Sequence, residues 1–246
     1  MKKTLLLQFL TLIVFSLNAQ MTYTISGQLA NQNNETITLS YYEGNQLVEN
    51  RVTATNGSFE LTGPAPTQPT VARLQTSLDR NLYLGEQRTS MYLPAAPLEL
   101  VVSADCKLTV SGDAKDIHLA NVSGDAYNES LTKFHLLEAP FTKKMDELRD
   151  YFSQAKKMGL GDEVTAIGKR MYDVYGEIRN LRKIYVSTNP TDFVSGWLLS
   201  VLSKDLPLEE LKSLYDGLSD SVKKTSYGVQ VADRIKKNSN VKQTTK

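Results

Sequence analysis

From Tyr23 to about Val110 the apolar positions recur at every second residue. Tyr23, Ile25, Gly27 and Leu29 alternate with Thr24, Ser26 and Gln28, and Ile37, Leu39 and Tyr41 alternate with Thr36, Thr38 and Ser40. A period of two belongs to a strand with one buried face, because successive side chains leave opposite faces of the pleat. Asn56-Gly57 stands between Val52-Thr53-Ala54-Thr55 and Ser58-Phe59-Glu60-Leu61. Both central residues of a tight two-residue turn need positive φ, which this dipeptide tolerates, so the pattern predicts a hairpin there. Gly63-Pro64-Ala65-Pro66 ends it, and further strand-like runs cover Thr70 to Leu74, Met91 to Leu93, Leu98 to Val102 and Leu108 to Val110. Six to eight short strands with no helical pattern between them predict an antiparallel β-sandwich over residues 20–123.

Near residue 124 the period changes. Leu131, Phe134, Phe141, Met145, Leu148, Phe152 and Ala155 fall on a three-four stripe whose one polar member is Glu138. After Gly159-Leu160-Gly161, the series Val164, Ile167, Met171, Val174, Ile178, Leu181 and Tyr185 keeps the same spacing. Two narrow apolar seams joined by a short glycine turn predict a long antiparallel helical hairpin, with residues 162–186 in one continuous arm. Pro140 predicts a kink or break in the other arm. Thr188-Asn189-Pro190 reads as the start of a further helix, Pro207 as the start of another, and Ser219 as the cap of a last one through Val222, Val229 and Ile235. Beyond Ile235 no apolar period remains, so residues 238–246 are expected to form a disordered tail. The fold class expected is α+β: a β-sandwich, then an α-helical region over 124–237.

The first nineteen residues carry an address. Met1-Lys2-Lys3 is a short positive segment, Thr4 to Leu17 is an apolar run, and Ala19 offers a small residue for cleavage. At 14 residues the run is short of the roughly 20 that span a bilayer. The expectation is a cleavable signal peptide over 1–19, cut after Ala19, and a periplasmic or secreted protein with no membrane span after cleavage.

Charge and chemistry narrow the function by subtraction. Lys and Arg number 28 against 27 Asp and Glu, which removes the electrostatic case for nucleic acid. A lone cysteine, Cys106, excludes an intramolecular disulfide and a Cys-x-x-Cys redox pair. His118 and His135 lie 17 apart with no carboxylate at ligand spacing around either, so neither metal nor cofactor is expected. Ser111-Gly112-Asp113-Ala114 recurs as Ser123-Gly124-Asp125-Ala126, which reads as two Gly-Asp turns rather than a calcium loop. Tyr41, Tyr42, Tyr83, Tyr92, Tyr172, Tyr175 and Tyr185 fit sheet and seam packing better than a binding platform.

Tyr23-Thr24-Ile25-Ser26-Gly27, Asn56-Gly57-Ser58-Phe59, Ser123-Gly124-Asp125-Ala126-Tyr127-Asn128 and Asn189-Pro190-Thr191 follow one another in an order that resembles a known pattern. It is similar to the domain of unknown function that precedes a thioredoxin-like domain in exported bacterial oxidoreductases of the alkyl hydroperoxide reductase and thiol-specific antioxidant type. In those proteins the resemblance places the catalytic Trp-Cys-x-x-Cys in the domain that follows. Trp197 is not followed by cysteine, so no catalytic residue carries over. The reading that results is an exported, non-catalytic binding or accessory module. The alternative is a redox accessory in which Cys106 forms a mixed disulfide with a separate thioredoxin-like protein. A hydrolase built from scattered Asp, Ser and His is the third.

Overall fold

The computed structural model describes residues 21–84, 89–94 and 96–244. The signal-peptide expectation for 1–19 therefore lies outside the described residues. Ten strands come first: β1 (Thr22–Ala30), β2 (Thr36–Glu43), β3 (Gln46–Thr53), β4 (Ser58–Pro64), β5 (Thr70–Thr76), β6 (Asp79–Leu84), β7 (Thr89–Pro94), β8 (Leu98–Val102), β9 (Lys107–Asp113) and β10 (Asn121–Ser123). A 3₁₀ helix, Ala114–Leu119, separates the last two. Six helices follow: α1 (Ala126–Lys157), α2 (Gly161–Thr188), α3 (Phe193–Leu202), α4 (Leu208–Gly217), α5 (Asp220–Lys223) and α6 (Ser226–Thr244).

The strands form two four-stranded sheets, ordered β10-β9-β1-β4 and β3-β2-β5-β8, with β6 and β7 paired as a separate ribbon. Alternate residues of both sheets meet in one apolar core: Ile25, Leu61 and Leu108 from the first, Leu39, Leu74 and Leu100 from the second. This is the expected sandwich, with one departure from antiparallel pairing. β1 lies parallel to β9, Ile25 opposite Leu108, because β9 returns beside β1 only after the chain has built the whole second sheet.

The Asn56-Gly57 turn forms, but it does not make a hairpin. Asn56 and Gly57 take φ of 51° and 81°, and Thr55 and Ser58 exchange backbone hydrogen bonds of 2.8 and 3.0 Å. Beyond that single bridge the flanking strands part: β3 pairs with β2, and β4 with β1. The turn is the corner where the chain passes from one sheet to the other. Gly57 is required there twice over, since a Cβ would also fall 2.3 Å from the Leu29 carbonyl oxygen.

The helical hairpin follows the sequence reading closely. Met145, Leu148 and Val174 are buried between α1 and α2, with Phe141, Ile167, Met171 and Ile178 packed around them. α1 runs through Pro140 without interruption. That proline is exposed, as is Leu136, whose carbonyl loses its intrahelical donor, so water can bond that carbonyl in its place. Two boundaries are corrected. α2 continues to Thr188, and the next helix begins at Phe193 because the Asp192 carboxylate, not Thr188, accepts the capping bond from Val194 N at 3.0 Å. The Ser219 hydroxyl caps the short α5, and α6 then starts at Ser226 and stays helical to Thr244, where a disordered tail from 238 is expected. Its carboxyl-terminal turns extend a helix already nucleated and anchored by the fully buried Val231, so each added residue gains a backbone bond without needing a new nucleus.

Val71 and Val101 stand opposite each other in the β5–β8 ladder, with their side chains in the helical core rather than the sandwich core. Phe134, Tyr185, Phe193 and Trp197 complete that second core, in which α3 is the central, almost wholly buried element.

Candidate functional site

Each residue that sequence reasoning singled out has a place in this framework, and most prove to be joinery. Cys106 closes the β8–β9 turn inside the sandwich, 6% exposed, with its carbonyl accepting from Thr24 N at 2.9 Å. Burial pushes its thiol pKa up, and the nearby Asp125 carboxylate adds to the rise. A mixed disulfide needs an accessible sulfur and a stabilised thiolate. The geometry supplies the reverse on both counts, so it lends the expected mixed disulfide at Cys106 no support.

The repeated Gly-Asp turns are helix caps on either side of β10. Asp113 Oδ1 accepts from Lys115 N at 2.9 Å at the head of the 3₁₀ helix, and Asp125 Oδ1 accepts from Asn128 N at 2.8 Å at the head of α1. His118 lies 3.6 Å from Asp146 and His135 lies 3.7 Å from Glu99, so tertiary folding brings each histidine a carboxylate that the sequence spacing does not show. Among the described residues no three groups converge as metal ligands would.

Ser130, Tyr185 and Asp192 do converge. The hydroxyls of Ser130 and Tyr185 both donate to Asp192 Oδ2, the second at 2.7 Å, while Asp192 Oδ1 caps α3. Burial pushes the Tyr185 pKa up to about 12. A carboxylate with both oxygens engaged, facing a tyrosine that keeps its proton, ties three helices together. Of the tyrosines, Tyr41 is buried in the sandwich, Tyr42 and Tyr172 are exposed, and Tyr175 accepts from Arg149 Nη2 at 3.3 Å. The side chains of Tyr83 and Tyr92 lie outside the described residues.

What sequence reasoning missed is a cleft at the closed end of the hairpin. The turn there is a Schellman motif: Gly159, at φ 72°, donates to the Lys156 carbonyl at 3.2 Å and Leu160 donates to the Ala155 carbonyl at 3.0 Å. Toward this end the buried Ala155 stands on the α1 seam, and the exposed Ala166 lies beside Ile167 on α2. Small side chains cannot fill the space between the two arms. An open cleft of about 600 Å³ results, lined by Tyr151, Ala155, Met158, Leu160, Ala166 and Ile167, with Glu163 and Arg170 on its α2 side. Met158 is 72% exposed and Tyr151 58%, so the apolar lining continues onto the rim. At 1.5 Å per residue the cleft lies roughly 40 Å along α1 from Asn128, where that helix meets the sandwich. The one signal in the sequence is Ala155, the small residue that ends the α1 seam.

Among curated proteins none matches the chain. Among solved structures, suilysin from Streptococcus suis matches at 13% identity and a TM-score of 0.22, over 43% of this chain and 23% of that one. The membrane-binding domain of pneumolysin matches at 8% identity and a TM-score of 0.21, over 43% and 96%. Likenesses of this size carry no inference about fold or function. No helix among the described residues is long and apolar enough to cross a membrane. The sandwich together with the first turn and a half of α1, residues 23–131, matches the model of one family, the domain of unknown function DUF4369.

Proposed function

We propose that the protein is an exported, non-catalytic binding module that offers the closed end of its helical hairpin to a protein partner. The observation that carries this is the apolar cleft between Ala155 and Ala166, rimmed by the exposed Met158 and Tyr151. Apolar surface at the far end of a rigid two-helix arm costs solubility unless something covers it. The polar groups elsewhere support the same reading, since Asp113, Asp125 and Asp192 are spent on helix caps. Export rests on the positive, apolar and small-residue succession from Met1 to Ala19. The resemblance to the domain preceding thioredoxin-like domains fits an accessory role of this kind, but not one through Cys106.

The test is a photo-reactive amino acid placed at Met158 in cells that export the protein, with Leu119, 64% exposed on the 3₁₀ helix, as the control position. Covalent adducts from position 158 and none from 119 are expected. Adducts from 119 alone would overturn the assignment of the surface. Amino-terminal sequencing of the exported protein should begin at Gln20; an intact Met1 would overturn export with cleavage.

A further inference from the structure

A sheet edge is a row of main-chain N–H and C=O groups with no strand beside them. The two four-stranded sheets have four such edges, β10, β4, β8 and β3, and the fold occupies three of them. β10 is three residues long, and α1 packs against it. Along β4 the Thr62 carbonyl accepts from Asn50 Nδ2 at 2.8 Å and the Pro64 carbonyl accepts from the Tyr41 hydroxyl at 3.2 Å. Pro64 itself has no N–H to offer. On β8, Asn128 takes both main-chain groups of Val101.

β3 is left open. Gly44, at φ 59°, begins a two-residue turn, so Glu43 and Gln46 are its closing hydrogen-bonded pair. Counting by two from Gln46, residues Val48, Asn50 and Val52 bond to β2, while Leu47, Glu49 and Arg51 turn their main-chain groups outward. None of those outward groups has a partner among the described residues. The strand also lacks the devices that usually blunt an edge. Its eight residues keep unbroken register with β2 and include no proline and no lysine. Glu49 and Arg51 pair with each other at 2.8 Å, so the row carries no net charge. On the inner face Val48 and Val52 stand half-buried at the rim of the sandwich core.

Main-chain donors and acceptors that repeat at every second residue match one kind of ligand, the backbone of another extended chain. The two half-buried valines add a side-chain requirement, since a strand laid beside them extends the core. We propose that β3 receives an extended peptide segment as a fifth strand, bonded to Leu47, Glu49 and Arg51 and carrying apolar side chains where it flanks Val48 and Val52. This surface is separate from the hairpin end and stands without it.

The peptide Thr36–Glu43, this chain's own β2 sequence, has the required alternation in Ile37, Leu39 and Tyr41 and serves as the probe. Amide hydrogen exchange of the full chain, followed by NMR with and without millimolar peptide, reads the contact. The amides of Leu47, Glu49 and Arg51 should exchange about tenfold more slowly with peptide, as protection by a new hydrogen bond requires. Glu49→Pro deletes one outward donor without touching the β2–β3 ladder, and should weaken peptide binding about tenfold. The same peptide methylated on every main-chain nitrogen keeps its side chains, loses its donors and should not bind the wild-type protein. Unchanged exchange at the three amides, or equal binding by Glu49→Pro and wild type, would each overturn strand addition. Binding undiminished by methylation would do the same, by assigning the contact to side chains. An unfolded Glu49→Pro would mean that this N–H faces β2, which overturns the edge assignment. Protection of β3 without peptide, rising with protein concentration, would make a second copy the occupant and overturn the proposal.

Discussion

The carboxamide of Asn128 satisfies both backbone groups of Val101: Oδ1 accepts from the Val101 amide and Nδ2 donates to its carbonyl, each at 2.9 Å. β8 is the edge of its sheet, and Asn128 does for Val101 what a further strand would do. Across the ladder, Val71 N donates to the Tyr227 hydroxyl at 2.7 Å. Helices α1 and α6 are thereby joined to the sandwich through its own backbone, on either side of the β5–β8 pair. Asn128→Ala leaves a buried donor and a buried acceptor unpaired, and should cost about 2–6 kcal/mol, at about 1–3 for each stranded group before any relaxation. Urea denaturation measures it. A midpoint within experimental error of wild type would show that water replaces the carboxamide and that the junction is wetter than the geometry indicates.

Glu138, the one polar residue of the α1 seam, is 8% exposed and bonded to Arg182 across the hairpin. Arg182→Met strands that carboxylate among apolar groups, and a loss of about 2–4 kcal/mol is expected. Adding Glu138→Leu should restore most of it, because two apolar side chains can replace a buried pair at little net cost. A double-mutant cycle decides the matter: strictly additive losses would mean that the two residues do not act as a pair.

Ile178 packs against the Met145–Leu148–Val174 cluster while remaining partly accessible. Ile178→Asp should lower stability by about 2–3 kcal/mol, less than at a fully enclosed site because the carboxylate can turn toward water. An unchanged thermal midpoint would mean that the seam does not hold the arms together.

Tyr41, Tyr185 and Tyr227 are each pushed up to about 12 by burial, against an ordinary value of 10.0. Between those values the unfolded chain has lost phenolic protons that the native state still binds, so stability falls as pH rises. Stability should therefore hold below about pH 10 and decline through pH 12. Urea midpoints taken from pH 8 to 11.5 give the slope; a flat profile would place these hydroxyls in contact with solvent.

Cys106 should react with a thiol reagent such as DTNB only as the protein opens. The expected rate in native buffer is at least a hundredfold below that in denaturant, because the sulfur is enclosed and its pKa raised. Equal rates would return Cys106 to consideration as a redox contact.

The helical hairpin could be read from the chain because its information is local. The positions that repeat every three or four residues from Leu131 to Tyr185 are the ones that meet, and the Gly159 turn leaves the arms one way to pair. The alternation from Tyr23 to Val110 likewise identified most of the sandwich strands and the residues that face its core. Strand partners were not legible. Asn56-Gly57 dictates a tight turn but not whether the flanking strands stay together, and here the closure of two sheets separates β3 from β4. The parallel contact of β1 with β9 joins residues more than eighty positions apart, which no local pattern encodes.

The chemistry divided along the same line. Composition alone limits these 246 residues to one thiol, since one cysteine is one cysteine in any fold. Whether Cys106 could reach a partner depended on which residues closed over it, and that is a property of packing. Asn128 reads in sequence as a polar residue near a helix start; only the approach of β8 makes it the mate of Val101. The cleft at the hairpin end belongs to neither arm, for residues of both helices line it. Periodicity determines what an element buries, because a side chain's direction follows from its own backbone. What it is buried against is decided by the long-range closure of the whole chain.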